Sequence, residues 1–255
     1  RVLRDAAGLG LERYLRGLYR SFAATIAATP SAQRALQRLG IERVHLIPLG
    51  VDLETFRPER RDPAWRGAVG ARDGQPVAVY AGRFATEKRL DVVLAGLPEL
   101  HRTTGVKLVL IGEGHLRPRF EAFQQAHPEM LAVLPYQRDR AGLARALASA
   151  DLYVAPFPLE TFGLAAVEAM ACGLPVGGVD SGAIADLLDG ADWGRRYRDG
   201  DAGDFARAAR ELLASDPDML RGAARAAAEA RYDWHRTCSA VLDLYRASVR
   251  ASTPP

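Results

Sequence analysis

Short apolar runs alternate with helical patterns along most of this chain, and this alternation restricts its possible folds more than any other feature. The run VAVYA at 77–81 and the run LYVA at 152–155 are short and have no polar face, as expected of strands buried on both sides. Strand followed by helix, repeated, predicts a parallel sheet wrapped by helices on both faces, which is a doubly wound α/β fold. The predicted strands are 44–47, 77–81, 106–111, 131–134, 152–155 and 176–178, and the predicted helices between them are 89–103, 116–126, 140–150, 163–171 and 183–188.

The two ends of the chain show helical spacing without strands. Residues 1–39 are rich in Ala, Leu and Arg, and the tripeptide TPS at 29–31 provides a helix start. Three further helices are predicted at 204–214, 219–230 and 234–250. The sequence therefore predicts C-terminal helices after the α/β region, with a frayed tail.

Composition and charge exclude several classes of protein. A chain of 255 residues with 48% apolar residues can bury one large core or two modest ones. The net charge is +3, and no basic run is interleaved with aromatic residues, so nucleic acid is not an expected partner. Cys172 and Cys238 are too few and too far apart for a zinc site or a disulfide framework. The cysteine usage predicts a reducing compartment, and because no stretch approaches 18 apolar residues we also expect a soluble protein.

The stretch ETFGLAAVEAMACG at 160–173 places two carboxylates, Glu160 and Glu168, across the predicted turn from a strand into a helix. Thr161 is predicted to cap that helix, whose free N–H groups favour an anionic ligand. Carboxylates accept hydrogen bonds from vicinal sugar hydroxyls, so a diphosphate between them suits a sugar nucleotide. The alternative interpretation is an ordinary helix with a solvated Glu168 and an exposed loop Glu160.

The loops after the other strands should hold the rest of a site, because ligands bind beyond the carboxyl ends of parallel strands. After 77–81, Gly82 forms the turn, and Arg83 and Lys88 are cations that could neutralise a diphosphate leaving group. The alternative is that both cations lie on a solvated face, with Glu87 as a local partner.

Two later loops are less specific. The glycines of GEGH at 112–115 indicate a tight turn and do not form a dinucleotide fingerprint, so NAD is disfavoured. Tyr136, which follows 131–134, could stack beneath a base or cover the core. We expect the backbone of that loop, more than the ring, to contribute to the site.

Together these segments resemble the C-terminal half of retaining glycosyltransferases of the GT-B fold, of the group 1, family 4 type. The matching segments are IPLGVDLETFRP at 47–58, AGRFATEKRLDVVL at 81–94, LVLIGEGHL at 108–116 and SADLYVAPFPLETFGLAAVEAMACGLPV at 149–176. The segment YDWHRTCSAVLDLYR at 232–246 resembles the last helix of the family, which crosses back to the first domain. One departure is VDSGAIADLL at 179–188, where the family usually has two glycines followed by Pro-Glu.

The resemblance implies a Rossmann-like domain that binds a UDP- or GDP-sugar without a bound metal or other cofactor. By position, Arg83 and Lys88 would hold the donor diphosphate, Glu160 the hydroxyls of the transferred sugar, and Glu168 the ribose. Backbone N–H groups at 162–164 would meet the distal phosphate, and the loop at Tyr136 would line the base. The implied site residues are Arg83, Lys88 and Glu160 for catalysis, and Gly82, Tyr136, Thr161, Phe162, Gly163, Leu164 and Glu168 for donor binding.

The implied activity is transfer of a hexose from a nucleotide-diphospho-sugar with retention of configuration. The implied domains are a helical remnant of the acceptor domain at 1–40, the nucleotide-sugar-binding domain at 41–232, and a crossover helix with a tail at 233–255. We therefore expect a donor-binding half that is inactive or weakly active alone, whose acceptor sugar or glycolipid binds a missing N-terminal domain. The resemblance implies a cytoplasmic location, with peripheral association of the whole enzyme at the inner face of the cell membrane as a further expectation. A non-catalytic nucleotide-sugar-binding module and a general α/β interaction domain are the alternatives.

Overall fold

A computed structural model describes residues 2–252 of the chain, with side chains from residue 10 to residue 250. It divides into two compact units: the described residues up to Gly50 together with those from Trp234 onwards, and Val51–Asp233. The helices are α1 (Val2–Arg20), α2 (Pro30–Arg38), α3 (Pro63–Ala68), α4 (Leu90–Thr104), α5 (Arg117–Ala126), α6 (Arg140–Ser149), α7 (Leu164–Ala171), α8 (Gly182–Leu187), α9 (Ala202–Ala214), α10 (Pro217–Tyr232) and α11 (Trp234–Ser252). The strands are β1 (Thr25–Ala27), β2 (Val44–Leu46), β3 (Val77–Ala81), β4 (Lys107–Ile111), β5 (Leu131–Leu134), β6 (Leu152–Ala155), β7 (Val176–Val179) and β8 (Gly194–Tyr197).

The larger unit is built on a six-stranded sheet in the order β5-β4-β3-β6-β7-β8. Every pair of neighbouring strands is parallel. All residues of β3, β4, β6 and β7 are buried, because helices cover both faces of the sheet. The predicted α/β fold with a parallel sheet and C-terminal helices is confirmed.

The strand order reverses between β3 and β6. From β3 the chain continues through β4 to β5 on one side, and β6 returns to the other side of β3 and continues to β7 and β8. In an open parallel sheet such a reversal leaves a crevice at the carboxyl ends of the two strands, because the connections diverge there. The fold therefore places the loops after β3 and β6 beside each other.

One aspartate ties the amino ends of these two strands together. The Oδ2 atom of Asp151, just before β6, accepts a hydrogen bond of 2.9 Å from the backbone N–H of Val77. The guanidinium groups of Arg66 and Arg221 also donate to this carboxylate, at 2.9 and 3.1 Å, and Arg61 lies 3.5 Å from it. Hydrogen bonds to charged groups are stronger than neutral ones, so this cluster stabilises the relative register of β3 and β6.

Two sequence expectations about strands are corrected. The run at 44–47 was expected in the main sheet, but β2 pairs in parallel with β1, in a separate two-stranded sheet of the smaller unit. The sixth strand of the main sheet is instead β8, whose sequence GRRY gives no strand signal. As an edge strand it pairs on one side only, and its two central arginines are partly exposed.

No helix within residues 2–252 combines the length and the apolar character that a membrane span requires.

Candidate functional site

A cavity of about 310 Å³ lies beyond the carboxyl ends of β3 and β6, where the strand order reverses. The loop after β3, the loop after β6, the first turn of α7 and one residue of α8 line it. Six of the residues predicted from the sequence are in its lining: Gly82, Arg83, Lys88, Glu160, Gly163 and Leu164. The structure thus brings together predicted residues that are up to 82 positions apart in the sequence.

The loop after β3 is held by a buried tyrosine. The hydroxyl of Tyr80 donates a hydrogen bond of 3.1 Å to the carbonyl oxygen of Arg83. A Cβ atom at Gly82 would lie 2.6 Å from that hydroxyl, which is too close unless the tyrosine moves, so glycine is favoured at this position. Burial raises the pKa of Tyr80, and the hydroxyl therefore stays protonated and remains a donor at neutral pH.

Lys88 presents its ammonium group to this cavity. Its Nζ atom lies 3.4 Å from Oε2 of Glu160 and 3.7 Å from the centre of the Phe157 ring. Only 17% of the Lys88 side chain is exposed. The ammonium is therefore largely removed from water, paired with a carboxylate, and part of the cavity lining.

Arg83 is placed differently from Lys88. Its side chain is 69% exposed, and Nη2 lies 3.2 Å from Oε1 of Glu87. The local Glu87 pair of the alternative interpretation is therefore present, although Arg83 also lines the cavity. Exposed pairs of this kind contribute little to stability, so the guanidinium is available to a ligand at small cost.

The start of α7 corrects one prediction. Thr161 is not the N-cap; that position belongs to Gly163, which has a φ of 89°. Glycine is favoured there because a side chain costs energy in the left-handed region. The N–H of Thr161 donates to Oε1 of its neighbour Glu160 instead, at 3.1 Å. The first turn of α7 still faces the cavity, and the first N–H groups of a helix have no intrahelical partner.

The lining of the cavity does not include the other four predicted residues, which are Thr161, Phe162, Tyr136 and Glu168. The side chain of Phe162 is 6% exposed and packs edge to face on Tyr232, with ring centres 5.8 Å apart, so it belongs to the core. Tyr136 follows β5 with 62% of its surface exposed. Glu168, on α7, is also outside the lining, and unlike Tyr136 it is buried.

Glu168 is a buried carboxylate. It is 6% exposed, and its Oε1 atom lies 3.5 Å from Nη2 of Arg140, the first residue of α6. Burial raises the pKa of Glu168 to about 7, against the opposing effect of Arg140. The solvated Glu168 of the alternative interpretation is therefore wrong.

Sequence reasoning missed two residues of this region, Arg140 and Phe157. The available signals were weak: Arg140 follows Asp139, a good helix cap, and Phe157 is an aromatic residue just past a buried strand. Neither position shows its partner in the local sequence, because the partners belong to other elements.

Among residues 10–250, no group of three or more His, Cys, Asp or Glu residues is arranged to hold a metal ion. Transfer without a metal stays a prediction from the sequence.

Comparison with known families gives a match over the larger unit. The profile of the family described as "Glycosyl transferases group 1" matches residues 75–215. A GDP-mannose-dependent alpha-(1-6)-phosphatidylinositol dimannoside mannosyltransferase of Mycobacterium tuberculosis is 34% identical over 218 residues, covering 85% of this chain and 56% of that protein. A D-inositol 3-phosphate glycosyltransferase of Segniliparus rotundus is 33% identical over 222 residues, covering 82% and 48%. The chain therefore spans about half the length of the curated relatives it matches.

Solved structures agree with this match at the level of the fold. Sucrose-phosphate synthase from Thermosynechococcus elongatus superposes with a TM-score of 0.77 at 26% identity, covering 89% of this chain and 58% of that one. The Anabaena protein HepE, in complex with UDP and glucose, gives a TM-score of 0.77 at 19% identity, covering 92% and 66%.

Proposed function

This chain belongs to the group 1 family of glycosyl transferases, and we propose that it forms the donor-binding half of a retaining hexosyltransferase. The donor is a GDP- or UDP-sugar. The proposal rests on one observation above all: Lys88, Glu160 and the first turn of α7 converge on one cavity at the reversal point of the sheet.

The contacts around the cavity support a specific division of roles. The Lys88 ammonium and the N–H groups at the start of α7 bind the diphosphate, with Arg83 as a second, more mobile cation. Glu160 accepts hydrogen bonds from the hydroxyls of the transferred hexose. Glu168 accepts hydrogen bonds from the ribose hydroxyls. The backbone of Gly82 and of the loop at Tyr136 contacts the donor.

The chemical step breaks the bond between the anomeric carbon and the phosphate oxygen, and that oxygen keeps the electron pair. Negative charge therefore grows on the diphosphate as the transition state forms. Cations and helix N–H groups already aimed at that position stabilise the transition state without reorganising. The acceptor oxygen then forms a bond to the anomeric carbon on the face that the diphosphate leaves, and its proton passes to the departing phosphate oxygen. The configuration of the anomeric carbon is therefore retained.

The names of two relatives suggest substrates to test. One is named for GDP-mannose and phosphatidylinositol dimannoside, and another for inositol phosphate. We take GDP-mannose as the first donor to test and a sugar or glycolipid as the acceptor class.

Thermal denaturation with a panel of nucleotides tests this proposal. We expect GDP or UDP to raise the Tm by several degrees at about a hundredfold excess over Kd, because a ligand specific for the folded state stabilises it. GMP and UMP should give much smaller shifts, since they lack the distal phosphate. A panel in which no nucleoside diphosphate shifts the Tm contradicts donor binding.

A nucleotide-sugar-binding module without transfer activity is the alternative to this proposal. The module and the transferase are distinguished by incubating the chain with GDP-mannose or UDP-glucose and measuring the release of the nucleoside diphosphate. Release of the nucleoside diphosphate contradicts a module, whereas binding without release is expected of a module and of a donor-binding half tested alone.

The pH dependence of donor binding should report on Glu168. Only the ionised carboxylate accepts both ribose hydroxyls, and its pKa in the free protein is about 7. Affinity for GDP or UDP should therefore rise as pH increases, by up to about tenfold between about pH 6 and about pH 8, and then level off.

The matched control for this measurement is Glu168→Gln, titrated over the same range by calorimetry. Ionisation of the nucleotide itself is common to both proteins and cancels in the ratio of their affinities. An equal pH profile in the two proteins removes Glu168 from the ribose role.

A further inference from the structure

The Lys88 ammonium has an aromatic partner that the proposed roles do not use. Nζ lies 3.7 Å from the centre of the Phe157 ring, well within the distance at which a cation is attracted to a ring face. Phe157 is half-buried, follows β6 after Pro156, and lines the same cavity. The ammonium therefore contacts two groups from one loop: a ring and the Glu160 carboxylate.

The two contacts differ in charge. Glu160 neutralises one positive charge, and a second carboxylate would leave the ammonium unable to attract an incoming diphosphate. A phenyl ring attracts the cation through its quadrupole but carries no net charge. The ring also has no lone pair that would accept a conventional hydrogen bond, so N–H donors of Lys88 stay available to phosphate oxygens. Phe157 can thus restrain Lys88 without reducing its affinity for an anion.

Restraint matters because a lysine side chain has a flexible four-carbon stem. Fixing it on a ligand loses up to about 2 kcal/mol of rotamer entropy. A side chain already fixed in the free protein does not lose that entropy again on binding.

The ring itself is presented by a rigid segment. Phe157 lies between two prolines, and a residue that precedes proline is confined to extended backbone. The segment is tied to the next loop, since the Ser181 hydroxyl donates to the Pro158 carbonyl at 3.1 Å and the Ala183 N–H donates to the Glu160 carbonyl at 3.3 Å. The backbone that carries the ring is therefore held by contacts that do not involve Lys88.

We propose that Phe157 is a positioning residue, whose ring face holds the Lys88 ammonium at the cavity and so raises the affinity for the diphosphate of the donor. The inference rests on the proposed function, because it concerns the same diphosphate site.

Two substitutions separate the ring from its volume. Phe157→Leu keeps an apolar side chain without a π face, and Phe157→Tyr keeps the face. We expect Phe157→Leu to weaken GDP or UDP binding by about three- to thirtyfold in calorimetry, and Phe157→Tyr to change it by less than about twofold. Equal losses in the two variants overturn the proposal. If the Leu variant does not fold, Phe157→Met replaces it under the same criterion.

A double-mutant cycle with Lys88→Met tests the route of the effect. If the ring acts through the ammonium, Phe157→Leu should cost no further affinity once Lys88 is replaced. A loss that persists in the Lys88→Met background overturns the proposal. The cycle also separates two failures: no effect of Lys88→Met counts against the proposed function, whereas an effect of Lys88→Met without one of Phe157→Leu counts only against the role of Phe157.

A direct signature of the contact is also accessible. The sequence contains only two lysines, Lys88 and Lys107, so reductive ¹³C-methylation gives a simple NMR spectrum. Stacking on a ring face should shift the Lys88 methyl signal upfield relative to Lys107, and Phe157→Leu should remove that shift while Phe157→Tyr retains it. A Lys88 signal unmoved by Phe157→Leu overturns the contact in solution.

Discussion

Lys88→Met should lower the affinity of this chain for GDP or UDP by about 10- to 100-fold, the range expected when a charge-assisted hydrogen bond is lost. The reason is local: the Lys88 side chain is 17% exposed, so water cannot fully replace the ammonium as a partner of the diphosphate. Methionine keeps the length and most of the apolar stem, and the change therefore isolates the charge. Isothermal titration calorimetry on the full chain measures it.

The matched control removes the same charge from a different place. Arg119 is exposed on α5, outside the lining of the cavity, and Arg119→Met should change the affinity by less than about twofold once salt screens long-range effects. Lys88→Arg is informative as well, because the broader guanidinium does not fit a site built around a compact ammonium. Equal affinities for the wild type and Lys88→Met would remove Lys88 from the diphosphate site.

Gly112→Ala should lower the free energy of unfolding by more than about 3 kcal/mol, a loss typical of severe overpacking against backbone. A Cβ atom at Gly112 would overlap the carbonyl oxygen of Gly82, and that oxygen cannot swing away as a side chain can. The two loops are joined by hydrogen bonds from the Gly82 N–H to the Ile111 carbonyl, at 3.0 Å, and from the Phe84 N–H to the Glu113 carbonyl, at 2.7 Å. Relief of the clash would break this pairing.

Urea denaturation followed by circular dichroism measures the loss, with Gly67→Ala as the control. Gly67 lies in α3 with no atom within 4 Å of a Cβ built there, so alanine should be neutral or stabilising by up to about 1 kcal/mol. A Gly112→Ala protein less than about 1 kcal/mol below the wild type contradicts the backbone contact. The same variant should also bind the nucleotide less well, because Gly82 lines the cavity.

Strand positions in the centre of the sheet could be read from the sequence because burial on both faces makes them continuously apolar. The predicted 77–81 and 152–155 coincide with the central strands β3 and β6. The edge strand β5, which coincides with the predicted 131–134, could also be read because all four of its residues are apolar. The edge strand β8 could not be read, since its two arginines lie on a partly exposed strand where apolar residues are not required. Local pattern also could not show that β2 belongs to another sheet, because pairing depends on residues distant in the sequence.

The site shows the same division. The rule that ligands lie beyond the carboxyl ends of parallel strands identified the loops of Gly82 and Glu160 before any coordinates. It could not identify the helix cap, because the left-handed turn at Gly163 depends on how the loop leaves the sheet. It also could not pair Glu168 with Arg140 or Lys88 with Phe157, since each pair joins different elements.

The parallel α/β architecture and the set of loops that form the site could be predicted from the sequence, because hydrophobic period and strand-end glycines are local properties. The family followed from the resemblance of the motifs in those loops. Only the tertiary structure decided which charges are buried and which are exposed. It buries Glu168 beside Arg140, leaves Arg83 in solvent with Glu87, and places Lys88 between a carboxylate and a ring. The physical reason is that the free energy of a charge depends on the surfaces and charges packed around it, and these are assembled from segments far apart in the chain.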